Sequence, residues 1–212
     1  MKVSTVKQLT PEWHQLKKAK IGGTRFGQVL SNRKNRLVYE LLDERLSDFI
    51  PPDSFINEDM QFGIDNEAPA AKTYSKQSGI RFAKVGAILS DLSDIHLASP
   101  DRINRKRGIV LEVKCTQQGD IHIKRFFEGV DSEYMPQIVN YFAVSDDVKE
   151  VHWISYCPFR PERPIVLHKF TRDSVIPDGK STTTIREQVE IGREKIKQIE
   201  ADLLRMERDW KF

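Results

Sequence analysis

The sequence predicts an α/β fold: a central mixed β-sheet flanked by helices, with a helical N-terminal portion and a long C-terminal helix. Three observations predict it. Helical signals run from Thr10 to just before Pro51-Pro52, β-rich runs lie within 81–115 and 151–170, and an apolar stripe of helical period closes the chain. At 212 residues and 24.6 kDa the length suits one domain. Within it, residues 1–50 form a helical portion, 57–172 a core and 182–212 a C-terminal helix.

Thr10-Pro11-Glu12 is a helix start, with a capping hydroxyl, a proline in the first turn and an acid at the positive helix end. This helix is expected to stop at Gly22-Gly23, where Thr24 caps a second one through Leu30. Leu37, Leu41 and Leu42 mark a third, ending before Pro51-Pro52. From about Asn57, residues Met60, Ile64, Glu67, Ala71 and Tyr74 share one helical face, which puts an acid, Glu67, on an apolar stripe. Past Gly79, residues 81–89, 95–98 and 109–115 read as hairpin-linked strands, and 134–144 returns to helical spacing. Residues 151–156 and 165–170 are strands around a proline-rich turn. Thr184-x-x-Glu187 is a capping box, and Ile185, Val189, Gly192, Ile196, Ile199, Leu203, Met206 and Trp210 line the helix behind it.

Composition narrows the function. No apolar run approaches a bilayer span and the N-terminus lacks a signal-peptide core, so a cytoplasmic protein with no membrane partner is expected. Two cysteines, Cys115 and Cys157, are too few for a disulfide framework or a thiolate metal site, and the histidines show no zinc spacing. The net charge of +3 conceals segregation. Residues 1–37 carry nine Lys or Arg against the single acid Glu12, while residues 38–101 carry twelve acids against five bases. Arg102, Arg105, Lys106 and Arg107 follow at once. Cations on both sides of an acidic centre suit a polyanion gripped through its phosphates while carboxylates hold a metal.

Charged residues inside an apolar strand are the informative ones, because burying an unpaired charge costs several kcal/mol. In Ile109-Val110-Leu111-Glu112-Val113-Lys114-Cys115, the period of two puts Glu112 and Lys114 on one face. A hairpin brings an upstream aspartate beside Glu112, giving two hard oxygen donors for Mg²⁺ and a nearby ammonium. Asp91, Asp94 and Asp101 all lie within reach by spacing. A structural ion pair within the sheet is the alternative.

Ser99-Pro100-Asp101, a short loop, then Leu111-Glu112-Val113-Lys114-Cys115 resembles the active-site core of the PD-(D/E)XK (restriction-endonuclease-like) nucleases, specifically the lambda exonuclease and YqaJ family of viral recombinases. Trp13-His14-Gln15-Leu16 with Ile21-Gly22-Gly23-Thr24, Gly63-Ile64-Asp65-Asn66-Glu67 and Tyr134-Met135-Pro136-Gln137 resemble three further motifs, in the family's order. The resemblance selects Asp101 and implies that Asp101, Glu112 and the carbonyl of Val113 hold Mg²⁺, with Mn²⁺ as a substitute. It makes Lys114 catalytic, Glu67 a helical acid that helps to position metal or water, and Gln137 a further active-site residue. Lys17, Thr24, Arg33 and Lys34 match a 5′-phosphate anchor, with Arg102 and Arg105 as added DNA contacts. Lys17 replaces the family's arginine, and Gly22-Gly23 replaces Thr-Ala.

The implied activity is Mg²⁺-dependent 5′-to-3′ exonucleolysis of linear double-stranded DNA, leaving 3′ single strands for recombination. A homotrimer, a single-strand annealing protein as partner and a phage or prophage gene in a bacterial host are implied with it. The same core also serves restriction or repair endonucleases, and a degenerate copy would be a DNA-binding module without catalysis.

Overall fold

The computed structural model describes residues 1–31, 34–48, 57–176 and 182–211. The chain runs β1 (Lys2–Ser4), α1 (Pro11–Lys17), α2 (Gly23–Leu30), α3 (Lys34–Leu46), α4 (Glu58–Ser78), β2 (Ala87–Leu89), β3 (Leu97–Ala98), β4 (Arg102–Asn104) and β5 (Ile109–Cys115). It continues through α5 (Gly119–Glu128), a 3₁₀ turn (Ser132–Tyr134), α6 (Met135–Val144), β6 (Glu150–Tyr156), β7 (Ile165–Phe170) and α7 (Ile185–Lys211).

The principal sheet has the order β4-β5-β6-β7, with β5 and β6 parallel and the outer pairs antiparallel. It is the mixed sheet that the alternating strands predict. The parallel pair needs a crossover, which α5 and α6 supply. A smaller antiparallel sheet, β1-β2-β3, pairs the strand that precedes the N-terminal helices with the two that follow α4.

Both faces of β5 are covered, which explains its nearly continuous apolar character. Leu111 and Val113 pack with Ala70, Ala71 and Tyr74 of α4. Val110, on the other face, joins a core that unites Phe26 of α2, Leu41 of α3, Phe142 of α6, Trp153 of β6 and Leu203 of α7. One apolar cluster therefore draws on the N-terminal helices, the sheet and the C-terminal helix alike.

Local signals placed most boundaries. Thr10 caps α1, accepting from the Trp13 amide. The capping box forms as expected: the Thr184 amide donates to Glu187 Oε2 at 2.7 Å, and the Glu187 amide donates to Thr184 Oγ1 at 3.3 Å. Three expectations need correction. The first helix ends at Lys17 rather than at the glycines, because Ala19 takes a left-handed φ of 54° and Ile21 then bridges to His96. Gly22, not Thr24, caps α2, and Thr24 sits in its first turn. Met60 and Ile64 are exposed, so the buried face of α4 begins only near Glu67. Pro69 does not interrupt that helix. The sequence reading also left β1, β4 and α5 unassigned. Two of these are three-residue strands, and α5 carries Phe126 and Phe127 exposed, which blurs its apolar stripe.

Candidate active site

The β4–β5 hairpin assembles the core of the site by register alone. Arg102 pairs with Leu111, so the same antiparallel ladder, continued one residue, sets Asp101 opposite Glu112. The side chain of Asp101 accepts from the Val113 amide at 2.7 Å. Lys114 Nζ donates to Glu112 Oε1 at 2.6 Å. Three charged groups thus meet where the hairpin opens toward the C-terminal end of β5.

Glu112 is 2% exposed and is fastened from α6. Gln137 Nε2 donates to its Oε1 at 2.8 Å, and the Tyr141 hydroxyl donates to its Oε2. Gln137 Nε2 also lies 3.0 Å from the Tyr141 hydroxyl, so one carboxylate anchors a small network. Tyr141 was missed by sequence reasoning. Its signal was available, since it stands one helical turn beyond Gln137 and presents a hydroxyl to the same face.

Burial and mutual charge shift Asp101, Lys114 and Tyr141 away from their ordinary pKa values. Burial, and then the charge of Glu112, push the Asp101 carboxyl well above its ordinary range, against the pull of Lys114. Burial disfavours the charge on Lys114, but Glu112 and Asp101 outweigh it and hold the ammonium more firmly than usual. Burial pushes the Tyr141 hydroxyl up, and Glu112 adds to it, so Tyr141 stays a donor. Burial likewise raises the Cys115 thiol to about 12, leaving it an unreactive thiol. Among the described residues no three His, Cys, Asp or Glu side chains gather to hold an ion by themselves. The donor set at the hairpin is nevertheless apt in its chemistry for a hard divalent cation: two carboxylates whose charges disfavour one another, with the strand carbonyl of Val113 next to Glu112.

Glu67 stands on α4 at the edge of the carboxylate cluster, close enough for its charge to raise Asp101. Strand alternation turns Leu111 and Arg102 toward α4, and there Arg102 pairs with Glu67. Lys84 Nζ stands 3.7 Å from the same carboxylate. Glu67 is held by cations rather than by the carboxylate pair, although its charge still raises Asp101. Arg102 departs from the surface role expected of it. It is buried, and its guanidinium is committed to Glu67 and to the Asp101 carbonyl. Arg105 is exposed in the hairpin turn, at the opposite end of β5 from Lys114, and donates to the Met1 carbonyl at 3.0 Å.

A cavity of about 510 Å³ adjoins the carboxylates, sharing Gln137 and Tyr141 as a wall. Lys17, Lys18, Lys20, Thr24 and Arg25 line it from the N-terminal portion. Lys17 Nζ lies 3.9 Å from the centroid of the Trp13 ring, and its pKa is lowered by burial and by Arg25. Trp13 is fixed in turn, donating from Nε1 to the Gly86 carbonyl at 3.0 Å. Arg25 is spent on Glu44, to which it makes a paired contact. Gly23 has a steric reason: a Cβ there would sit 2.9 Å from Cγ of Gln137. Arg33 lies outside the described residues, and Lys34 is the first residue of α3.

Comparison with known proteins agrees with this fold. The crystal structure of an alkaline exonuclease (LHK-Exo) from Laribacter hongkongensis superposes with a TM-score of 0.73 at 23% identity, covering 95% of this chain and 98% of that one. The same enzyme in complex with dAMP gives 0.73 at 21% identity over the same shares. A phage-related exonuclease from Haemophilus somnus 129PT gives 0.55 at 15% identity, over 90% of this chain and 99% of that one. At these identities the likeness establishes the fold. No curated protein sequence matches the chain significantly. The model of the YqaJ-like viral recombinase domain matches residues 12–147, a stretch that runs from the start of α1 past Tyr141 and contains every residue of the site just described. By that match the chain belongs to the YqaJ-like viral recombinase domain family.

Proposed function

We propose that this protein is a divalent-metal-dependent DNA exonuclease that digests linear duplex DNA from the 5′ end and leaves 3′ single strands. The observation that carries the reading is the convergence of Asp101, Glu112 and Lys114 at the mouth of the β4–β5 hairpin. The alkaline exonuclease and phage-related exonuclease that share the fold support it.

Asp101, Glu112 and the Val113 carbonyl would hold Mg²⁺, or Mn²⁺ in its place. When bound, that ion supplies Lewis-acid stabilisation of phosphate charge and a more acidic water. The protein's own groups do the rest. Gln137 and Tyr141 fix both oxygens of Glu112, so its carboxylate cannot rotate away from the phosphate. Lys114, a protonated donor beside Glu112, orients the attacking water or stabilises the charge developing on a non-bridging oxygen. Glu67, fixed by Arg102, adds negative field at the Asp101 edge and acts from outside the set of metal ligands.

The adjoining cationic cavity is proposed as the 5′-phosphate anchor, with Lys17 and Thr24 as its donors; the part expected of Arg33 and Lys34 concerns side chains outside the described ones. An anchor one wall away from Glu112 would hold the strand end at a fixed distance from the scissile bond, making cleavage exonucleolytic. The substrate reading extends to a homotrimer around duplex DNA, a single-strand annealing protein as partner, and work in the cytoplasm of a bacterial host from a phage or prophage gene. Among the described residues no helix is long and apolar enough to cross a membrane. The residue spans 1–50, 57–172 and 182–212 are proposed to work as one nuclease domain, because one apolar cluster joins them.

The decisive experiment digests end-labelled linear duplex in Mg²⁺ and in EDTA, with a closed circle of the same sequence alongside. Mononucleotide release from the 5′-labelled strand, dependent on Mg²⁺ and restricted to linear DNA, is the expected outcome. Equal loss of circles would make it an endonuclease, and binding without hydrolysis would make it a DNA-binding module.

A further inference from the structure

We propose that Arg125 is a positioning residue for Lys114 and acts through the ring of Tyr134; this rests on the reading of Lys114 as the lysine of a phosphodiester-hydrolysing site.

Lysine is a flexible four-carbon stem, and a hydrogen bond to Glu112 alone leaves it free to pivot about that contact. A second restraint is present. Lys114 Nζ lies 5.0 Å from the centroid of the Tyr134 ring, within the range where a cation is attracted to the π face. The ammonium is thus held between a carboxylate and an aromatic ring, and its direction depends on where that ring stands.

The ring is itself held by Arg125. Tyr134 ends the 3₁₀ turn before α6, half-buried, and packs on Trp153 with centroids 5.7 Å apart. Arg125, from α5, brings one terminal nitrogen to 3.5 Å from the Tyr134 hydroxyl, and its guanidinium carbon lies 5.7 Å from the same ring. Arg125 is 6% exposed and cannot relax into water. Each edge of its plane has a partner: Nε donates to Asp131 Oδ2 at 3.0 Å, the other terminal nitrogen reaches Ser155 Oγ at 3.4 Å, and the Trp153 ring lies 5.4 Å away. Asp131 immediately precedes the turn that ends in Tyr134 and also takes Lys124 at 3.2 Å.

Arg125 thereby joins the loop that carries the ring to the sheet that carries the lysine. An apolar side chain of like volume would fill the space at lower desolvation cost, but would leave the Asp131–Tyr134 turn without its shared donor. The planar fork matters, because a lysine there reaches Asp131 without also reaching Tyr134 and Ser155.

The test compares wild type, Arg125→Lys, Tyr134→Leu and the double variant in steady-state cleavage of 5′-labelled duplex with Mg²⁺. Each single change is expected to lower kcat by about tenfold while KM stays within about twofold. The double variant should be no slower than Tyr134→Leu alone, since both act along one route. Multiplying losses, or a fall confined to KM, would overturn the proposal. A second arm reads position without activity: in protein labelled with ¹³C at lysine Cε, the Lys114 signal, assigned by its loss in Lys114→Arg, should carry an upfield ring-current shift. That shift should shrink in Arg125→Lys and vanish in Tyr134→Leu; an unchanged signal in Arg125→Lys refutes the route. Should Arg125→Lys fail to fold, Tyr134→Phe keeps the ring and removes the hydroxyl facing Arg125. A partial loss in kcat and in the Lys114 shift is then expected, and wild-type values in both would refute the route. If wild type does not cleave at all, the functional reading fails, while the spectroscopic arm still decides the positioning claim.

Discussion

The carboxylate cluster and the cationic cavity share a wall, yet they are built by different physics. Asp101, Glu112 and Lys114 are placed by the backbone: ladder register sets Asp101 across from Glu112, and pleat alternation sets Lys114 beside it. Lys17 and Thr24 are placed by packing, on two short helices held by Trp13 on the Gly86 carbonyl, by Phe26 against Gly192 of α7 and by Gly23 against Gln137 of α6. A site fixed by register tolerates damage elsewhere in the molecule. One assembled by packing inherits every weakness of the core that supports it.

That contrast is broken most severely at the cluster itself. Lys114→Ala and Asp101→Asn should each reduce the single-turnover rate of label release by about 10³-fold, with DNA affinity in EDTA retained. In EDTA Asp101→Asn should not lower the melting temperature, whereas Lys114→Ala, which leaves the buried Glu112 without its cation, should lower it. A carboxyl whose folded pKa is raised above the unfolded one costs stability increasingly as pH climbs past the unfolded value, so Asp101→Asn should melt slightly higher at neutral pH. Loss of both rate and several degrees of stability in Asp101→Asn would mean that this carboxylate supports the fold rather than being supported by it.

The packing-built side is probed next by Phe26→Ala. Phe26 is fully buried, stacks on His96 with centroids 5.9 Å apart, and sits where a Cβ on Gly192 would come within 2.5 Å of it. Truncation should cost about 3–5 kcal/mol, lowering the melting temperature by roughly 10 °C in calorimetry. Below the transition, selectivity for 5′-phosphorylated ends should fall further than the cleavage rate does. The reverse order would contradict the division into two construction principles.

A pH titration sharpens the same division. Burial lowers His96 from 6.5 to about 4, against the pull of its bond to Asn140 Oδ1 at 2.7 Å. The unfolded chain therefore binds a proton that the folded chain refuses throughout that window. Stability is intact above pH 6.5 and declines as pH falls toward 4, by about 3 kcal/mol in all. Denaturant midpoints measured across this range should follow that slope, and His96→Gln should flatten it. A flat wild-type profile would place His96 outside the cooperative core.

How much of this was legible in the sequence follows the same line. β5 was legible to the residue, because seven residues with two charges on one face admit few other readings. Asp101 was not legible from spacing, since β4 is three residues long and its pairing exists only in the folded hairpin; the resemblance selected it. The long C-terminal helix was legible from its stripe and capping box, although what Gly192 packs against was not. Arg102 was read as a DNA contact, and the structure buries it against Glu67 instead, because nothing in its sequence neighbourhood shows that it faces α4. Tyr141 and Arg125 escaped notice because a buried polar group reveals its role only through partners brought from other elements.

Lys17 supplies the smallest and most discriminating of these tests. It is the residue at which the chain carries lysine where the family pattern has arginine, and its ammonium is half-buried over Trp13 beside Arg25. A phosphate entering the cavity would restore the charge that burial and Arg25 disfavour, so the contact rewards an anionic end and offers nothing to a hydroxyl. Lys17→Ala should therefore reduce the ratio of cleavage rates on 5′-phosphoryl and 5′-hydroxyl duplexes by about tenfold, leaving the hydroxyl rate unchanged. Lys17→Arg should hold or raise that ratio, since the guanidinium fork engages two phosphate oxygens. If both variants leave the ratio untouched, the cavity does not read the strand end, and exonucleolytic cleavage must get its register from the sheet-borne cluster alone.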